Sequence, residues 1–266
     1  MTKNFLLIVE GEVTEKDIMT SVFERYGIEV YDKGKLDLNN ARAEELTIKQ
    51  FSVPADRNII LLQGPKNRIH DWLKDINNKT EDFERFFNNL DGLFAGIFVI
   101  YDVDHTSKDD LLEMFNKFND ETSNGLLLLS SPCIEVMVDK ERKSDLMVTH
   151  LKEYKIELNT KYNKEYKCSA KQFIVKNFES LALYYLEKNV EELHCKNVME
   201  HPALILSKIN ELNERTFVSS DNQPVHYRYF TTVIYVCIAY IYGLTKEAEN
   251  AGEVKKFLLA HIDNQK

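Results

Sequence analysis

Two stretches decide the fold: Phe5-Leu6-Leu7-Ile8-Val9-Glu10-Gly11-Glu12-Val13-Thr14-Glu15 and Gly96-Ile97-Phe98-Val99-Ile100-Tyr101-Asp102-Val103-Asp104. Each is a short, unbroken apolar run that ends in carboxylates. Unbroken apolarity over so few residues marks a strand buried on both faces, not the alternation of a half-exposed strand. Helical patterns follow both runs. Thr14 and Asp17 have the spacing of a capping box, and Ile18, Val22, Phe23 and Tyr26 line one face of a helix that Gly27 ends. Ser107 and Asp110 repeat the device ahead of Leu111, Phe115 and Phe118.

Working outward, Asn58–Leu62 reads as another buried strand, followed by a helix carrying Ile69, Trp72, Leu73 and Ile76. A short helix carries Phe83, Phe86, Phe87 and Leu90. Leu126–Leu129 is a fourth strand ending at Ser130-Ser131-Pro132, and Ile134–Val138 looks like a further helix start. This repetition predicts an α/β fold, a parallel sheet flanked by helices with right-handed crossovers. Residues 28–57 are mixed and polar and read as an insertion, with a short strand at Gln50–Val53. From about residue 143 the strand signals stop. Helical periodicity continues over Phe173–Leu186, from Pro202, over an apolar core helix at Thr231–Leu244, and over Val254–Ile262. The expected organisation is an α/β domain over 1–142 and an all-helical domain over 143–266.

Composition agrees. The 266 residues include only 9 Gly and 5 Pro, well below the roughly 12% usual for the pair. That excludes collagen-like and linker-rich chains and disfavours an all-β protein full of tight turns. The four cysteines, Cys133, Cys168, Cys195 and Cys237, form no CxxC pair, which points to a reducing cytoplasm and no disulfide framework. No apolar stretch is long enough to span a bilayer, so no membrane role is expected. The net charge of -9 argues against an autonomous polybasic nucleic-acid binder. The surplus is uneven, however: residues 1–142 carry net -10 and residues 143–266 net +1.

The chemistry is expected at the carboxyl ends of the strands, where open parallel sheets bind ligands. Glu10 ends the first strand, Asp102-Val103-Asp104 ends another, and Glu135 follows Ser131-Pro132-Cys133. Carboxylates gathered at one sheet edge repel each other unless a cation joins them, and hard oxygen ligands suit Mg²⁺ or Mn²⁺. His194-Cys195 with His201 lacks a second pair of zinc ligands, His70-Asp71 stands without companions, and no P-loop is present.

Phe5–Glu15 and Phe98–Asp104 resemble the two signature motifs of the Toprim fold, an apolar strand ending in Glu-Gly and a later one ending in Asp-x-Asp. With Ser131-Pro132-Cys133-Ile134-Glu135 added, residues 4–140 are most similar to the RloB-like and OLD-like nucleases linked to phage defence. The resemblance implies a Mg²⁺- or Mn²⁺-dependent nuclease acting on DNA or RNA, tRNA included, beside a separate ATPase partner. Glu10 would then be a metal ligand or general acid/base. Asp102 and Asp104 would be the metal-binding pair, and Glu15 and Glu135 ligands for a second metal. Such nucleases also use a basic residue. Residues 140–176 hold ten bases and five acids, so Lys161, Lys164, Lys167 and Lys171, interleaved with Tyr162 and Tyr166, are the expected nucleic-acid contacts. Lys171 is the expected catalytic lysine.

Two other classes fit parts of the pattern. One is a non-cleaving Toprim module that binds nucleic acid or a partner. The other is a haloacid-dehalogenase-type phosphatase, because Asp102-Val103-Asp104-His105-Thr106 also resembles that family's first motif, with Asp102 as nucleophile and Ser130 or Ser131 as a second motif.

Overall fold

The computed structural model describes residues 4–10, 14–25, 29–35, 59–64, 88, 92–104, 106–140, 151–178, 180–182, 184, 185, 188, 211 and 230–233. Strand β1, Phe5–Glu10, is buried at all six positions. Leu6, Leu7, Ile8 and Val9 are at most 2% exposed, so each contributes on the order of 1.5–3 kcal/mol by leaving water. A strand this apolar must be covered on both sides and paired on both edges. It pairs in parallel with β3, Ile59–Gly64, through Phe5↔Ile59 to Glu10↔Gly64. On its other edge it pairs in parallel with β4, Gly96–Asp102, through Phe5↔Gly96 to Val9↔Ile100.

Outside these lie β2, Val30–Lys35, parallel to β3, and β6, Gly125–Ser131, beside β4. Two short antiparallel strands pair with β6: β5, Asn119–Asp120, and β7, Phe230–Thr231. Among the described residues the sheet thus has seven strands, ordered β2-β3-β1-β4-β6-β5, with β7 pairing β6 off this path. The fold is α/β and the sheet mostly parallel, as expected. The four strands read from the sequence are all present.

The differences have physical reasons. Strand β2 falls in the stretch read as an insertion. Its sequence, Val-Tyr-Asp-Lys-Gly-Lys, is polar, and among the described strands it is the outermost, where charge resists further pairing. Gln50–Val53 lies outside the described residues, as do the helices expected at 69–76 and, apart from Asn88, at 83–90. Ile134–Val138 forms a 3-10 helix, not the start of an α-helix. The expectation that everything after residue 143 is helical fails at Phe230–Thr231, which adds a strand to the sheet. Thr231 is therefore not the start of a core helix. A two-residue strand leaves no period for a sequence pattern to show.

Of the described helices, α1, Thr14–Arg25, buries Ile18, Met19, Val22 and Phe23. Helix α2, Lys108–Lys117, starts as its sequence dictates: Ser107 Oγ accepts the Asp110 N–H at 3.2 Å. Helix α3, Leu151–Tyr166, was not legible, because its buried stripe is only Tyr154, Leu158 and Tyr162. Helix α4, Ala170–Lys176, opens with a full capping box between Ser169 and Gln172. The chain forms two compact units, one of residues 1–101 and 107–127, the other of residues 102–106 and 128–266. None of the described helices is long and apolar enough to cross a membrane.

In the first unit, Gly96 starts β4 beneath the stacked rings of Phe5 and Phe98, whose centroids are 6.0 Å apart. A Cβ at this position would stand 2.9 Å from Phe5 Cε1 and 3.1 Å from Phe98 Cε2. Gly96→Ala is therefore expected to cost about 1–3 kcal/mol through overpacking, read as a lower urea midpoint at unchanged slope. An unchanged midpoint would show that the rings move aside freely.

Candidate metal centre

Strand β4 ends at Asp102, and the next residues are laced to the end of β6. The Val103 N–H donates to Ser130 O at 2.9 Å and the Asp104 N–H donates to Pro132 O at 3.0 Å. The loop closes on itself through Thr106, whose N–H donates to Val103 O at 3.1 Å and whose hydroxyl donates to Asp104 O at 3.4 Å. From the other side, β6 runs into a cis Ser131–Pro132 peptide. Cys133, in extended conformation, then precedes the 3-10 helix that carries Glu135. Two segments far apart in sequence are so fixed side by side within the second unit.

The result is a cluster. Asp102, Cys133 and Glu135 each offer a ligand atom, and these atoms all lie within 4.8 Å of one another. Asp102 and Asp104 are 5% and 6% exposed. Lys155, on α3, reaches the same place: its Nζ is 3.4 Å from Asp104 Oδ2 and 3.9 Å from Glu135 Oε2. The 3-10 helix is held in turn by tyrosine hydroxyls. Tyr162 donates to Val138 O at 2.6 Å and Tyr185 donates to Val136 O at 2.5 Å.

The donor set can be tested against a cation. Burial, followed by the charges of Glu135 and Asp102, pushes the Cys133 thiol well above its usual range; Lys155 acts the other way, and a hydrogen bond to Glu135 adds to the rise. Sulfur is also a soft donor, which suits a hard ion poorly. The carboxylates are the opposite. Glu135 Oε2 is buried and accepts no hydrogen bond among the described residues, and its ion pair with Lys155 is long. Carboxylate oxygens at this spacing fit a hard divalent cation such as Mg²⁺ or Mn²⁺, which accepts few protein ligands and keeps several waters.

Of the residues singled out in the sequence, Asp102 and Glu135 come together here, and Lys155 links Asp104 to Glu135. Glu10 and Glu15 belong to the first unit. Glu10 ends β1, Glu15 lies in the first turn of α1, and both are buried. Lys161 and Lys164 lie on α3, Lys167 follows it at a positive φ of 56°, and Lys171 lies in the first turn of α4. Tyr162, expected to stack on bases, is buried; its ring packs on Tyr166 and Phe173 at 5.1 and 4.7 Å. Ser130 Oγ is 3.0 Å from Thr231 Oγ1, which commits it to the β6–β7 pair, whereas the buried Ser131 Oγ has no hydrogen-bond partner among the described residues. His70, His194, Cys195 and His201 lie outside the described residues.

Sequence reasoning missed Lys155 and Cys133. The available signal for Lys155 was its phase: it follows Tyr154 by one position and lies four residues from both Leu151 and Asn159, along the flank of the buried stripe. Cys133 carried no signal beyond its place between Pro132 and Glu135. Comparison with protein-family models, with curated proteins and with solved structures finds no match for this chain.

The raised thiol has a testable consequence. The folded state favours protonated Cys133, so its contribution to stability is full below the unfolded thiol's range and fades as pH rises above it. At pH 8, native protein treated with iodoacetamide should leave Cys133 unmodified by peptide mass spectrometry, and unfolded protein should be modified fully. Rapid native alkylation would mean a thiolate at the centre.

Proposed function

We propose that the protein is a Toprim-like, Mg²⁺- or Mn²⁺-dependent nuclease that cleaves nucleic acid phosphodiesters in anti-phage defence. The observation that carries this reading is the meeting of Asp102 and Glu135, with ligand atoms within 4.8 Å, beside Asp104 and Lys155. Burying carboxylates together is costly, and a cation bound between them offsets that cost. The resemblance of the motifs supports the same reading. It adds Glu10 as general acid/base or ligand and Glu15 as a ligand for a second ion.

In this reading Asp102, Asp104 and Glu135 hold the cation. When bound, it supplies Lewis-acid activation of a phosphoryl oxygen and of an attacking water. The chain's own residues do the rest. The backbone bonds from Val103 and Asp104 to Ser130 and Pro132 fix the carboxylates before substrate arrives, so no reorganisation is needed during the reaction. An anionic phosphodiester approaching acidic groups is repelled, and the Lys155 ammonium offsets that repulsion. Lys155 thus takes the role the sequence had assigned to Lys171. Lys164 and Lys167, both exposed, remain proposed contacts to the nucleic acid backbone, with Lys161 and Lys171 beside them. A separate ATPase is the proposed partner.

The test is purified protein with plasmid, single-stranded DNA and total tRNA, with Mg²⁺ or Mn²⁺ and with EDTA. Cleavage should need the metal and be abolished in Asp102→Ala and in Glu10→Ala. Asp102→Ala should keep or slightly raise its thermal stability without metal, as carboxylate repulsion is relieved. Lys155→Ala should lower kcat, with partial recovery in Lys155→Arg. Mn²⁺ uptake by calorimetry should be weakened in Glu135→Gln. Full activity in both Asp102→Ala and Glu10→Ala would overturn the assignment, and metal-independent nucleic acid binding without cleavage would leave a binding module in its place.

A further inference from the structure

The second unit carries a cavity of about 460 Å³ that begins at Asp104 and Lys155 and runs along α3 past Leu151, Lys152, Ile156 and Asn163. Those helical positions form two adjacent rows spaced by four residues. Leu151 to Asn163 spans about 18 Å at the rise of an α-helix. Three features of this face need explaining. Ile156 is 55% exposed, in one row between the exposed polar side chains of Lys152 and Thr160. The three acids of α3, Glu153, Glu157 and Glu165, are all absent from the described lining, which leaves Asp104 as its one carboxylate. The amide of Asn159 is already used, donating to Lys155 O at 3.0 Å and accepting from the Ala170 N–H at 3.1 Å, so the exposed polar groups on offer are Thr160 and Asn163.

An apolar platform, two neutral hydrogen-bonding side chains and two lysines, with Asp104 the one carboxylate at the end of the groove, match one kind of occupant: a flat, part-apolar ring joined to phosphate. We propose that this groove is a subsite for one unpaired nucleotide beside the phosphate to be cut, so that the substrate is single-stranded or presents an unstacked nucleotide. The base lies on Leu151 and Ile156, its polar edge faces Thr160 and Asn163, and Lys152 meets a flanking phosphate. The volume is in the range of small-ligand sites. A duplex keeps its base faces stacked inward and offers only phosphates, so Ile156 would gain nothing from it. The inference rests on the nuclease reading, because the shared end of the groove is the proposed centre.

The experiment measures fluorescence anisotropy of a 5′-fluorescein-labelled single strand and of its duplex, with full-length protein in an Asp102→Asn background that prevents cleavage. Ile156→Ser and Asn163→Ala are added together at exposed positions, and circular dichroism checks that helix content is kept. Single strand should bind about tenfold more tightly than duplex, and the double change should weaken single-strand binding by about tenfold while leaving duplex binding unaltered. Equal affinity for the two forms, or single-strand binding insensitive to the double change, overturns the subsite. The two readings separate in protein with Asp102 intact. Strand-selective binding with no Mn²⁺-dependent cleavage removes the nuclease and keeps the subsite. Cleavage with a single-strand KM unmoved by the double change removes the subsite and keeps the nuclease.

Discussion

The structure of the candidate centre depends on two backbone hydrogen bonds, from Val103 to Ser130 and from Asp104 to Pro132. Carboxylates repel, so a cluster of them does not assemble by mutual attraction. Other groups must hold it, and Lys155 supplies only part of the compensation. Here the peptide groups at the ends of β4 and β6 do so, and the cost of bringing Asp102 toward Glu135 is met by the stability of the sheet. The apolar strands beneath are the source of that stability. Tyr101 and Leu128 through Leu129 are fully buried immediately before the polar residues begin.

The covering elements show the same division between apolar anchor and polar tip. Tyr162 and Tyr185 bury their rings and spend their hydroxyls on carbonyls of the 3-10 helix that bears Glu135. A phenylalanine in either place would fill the space but leave a buried carbonyl without its donor, a loss of about 1–3 kcal/mol. The tyrosines in this basic stretch thus serve two purposes. Tyr162 is structural, while Tyr166 is 51% exposed against Phe173. Composition alone treats them as equal.

Lys155 illustrates why the candidate site was only half legible. Asp102 and Asp104 announced themselves because they stand at and just beyond the end of an apolar strand, and strand ends are the ligand-binding edge of any parallel sheet; Glu135 follows the end of β6 by four residues. The lysine has no such marker. Ten bases lie between residues 140 and 176, and choosing among them requires knowing which face of α3 turns toward Asp104. That face was obscured because the buried stripe of α3 uses tyrosines, which a hydrophobic period scores weakly.

By itself the sequence determined the α/β class, the four main strands, the serine cap of α2, and the acidic character of the strand ends. Local physics suffices for these: an unbroken apolar run must be buried, and a serine before a helix satisfies an unpaired N–H. Only the tertiary structure decided the pairing of β7 with β6, the polar edge strand β2, the 3-10 turn at Glu135 and the arrival of Lys155 beside Asp104. Each of these joins residues distant in the chain or sits where neighbours override local preference. Their free energy lies in contacts between elements, and no window along the sequence contains both partners.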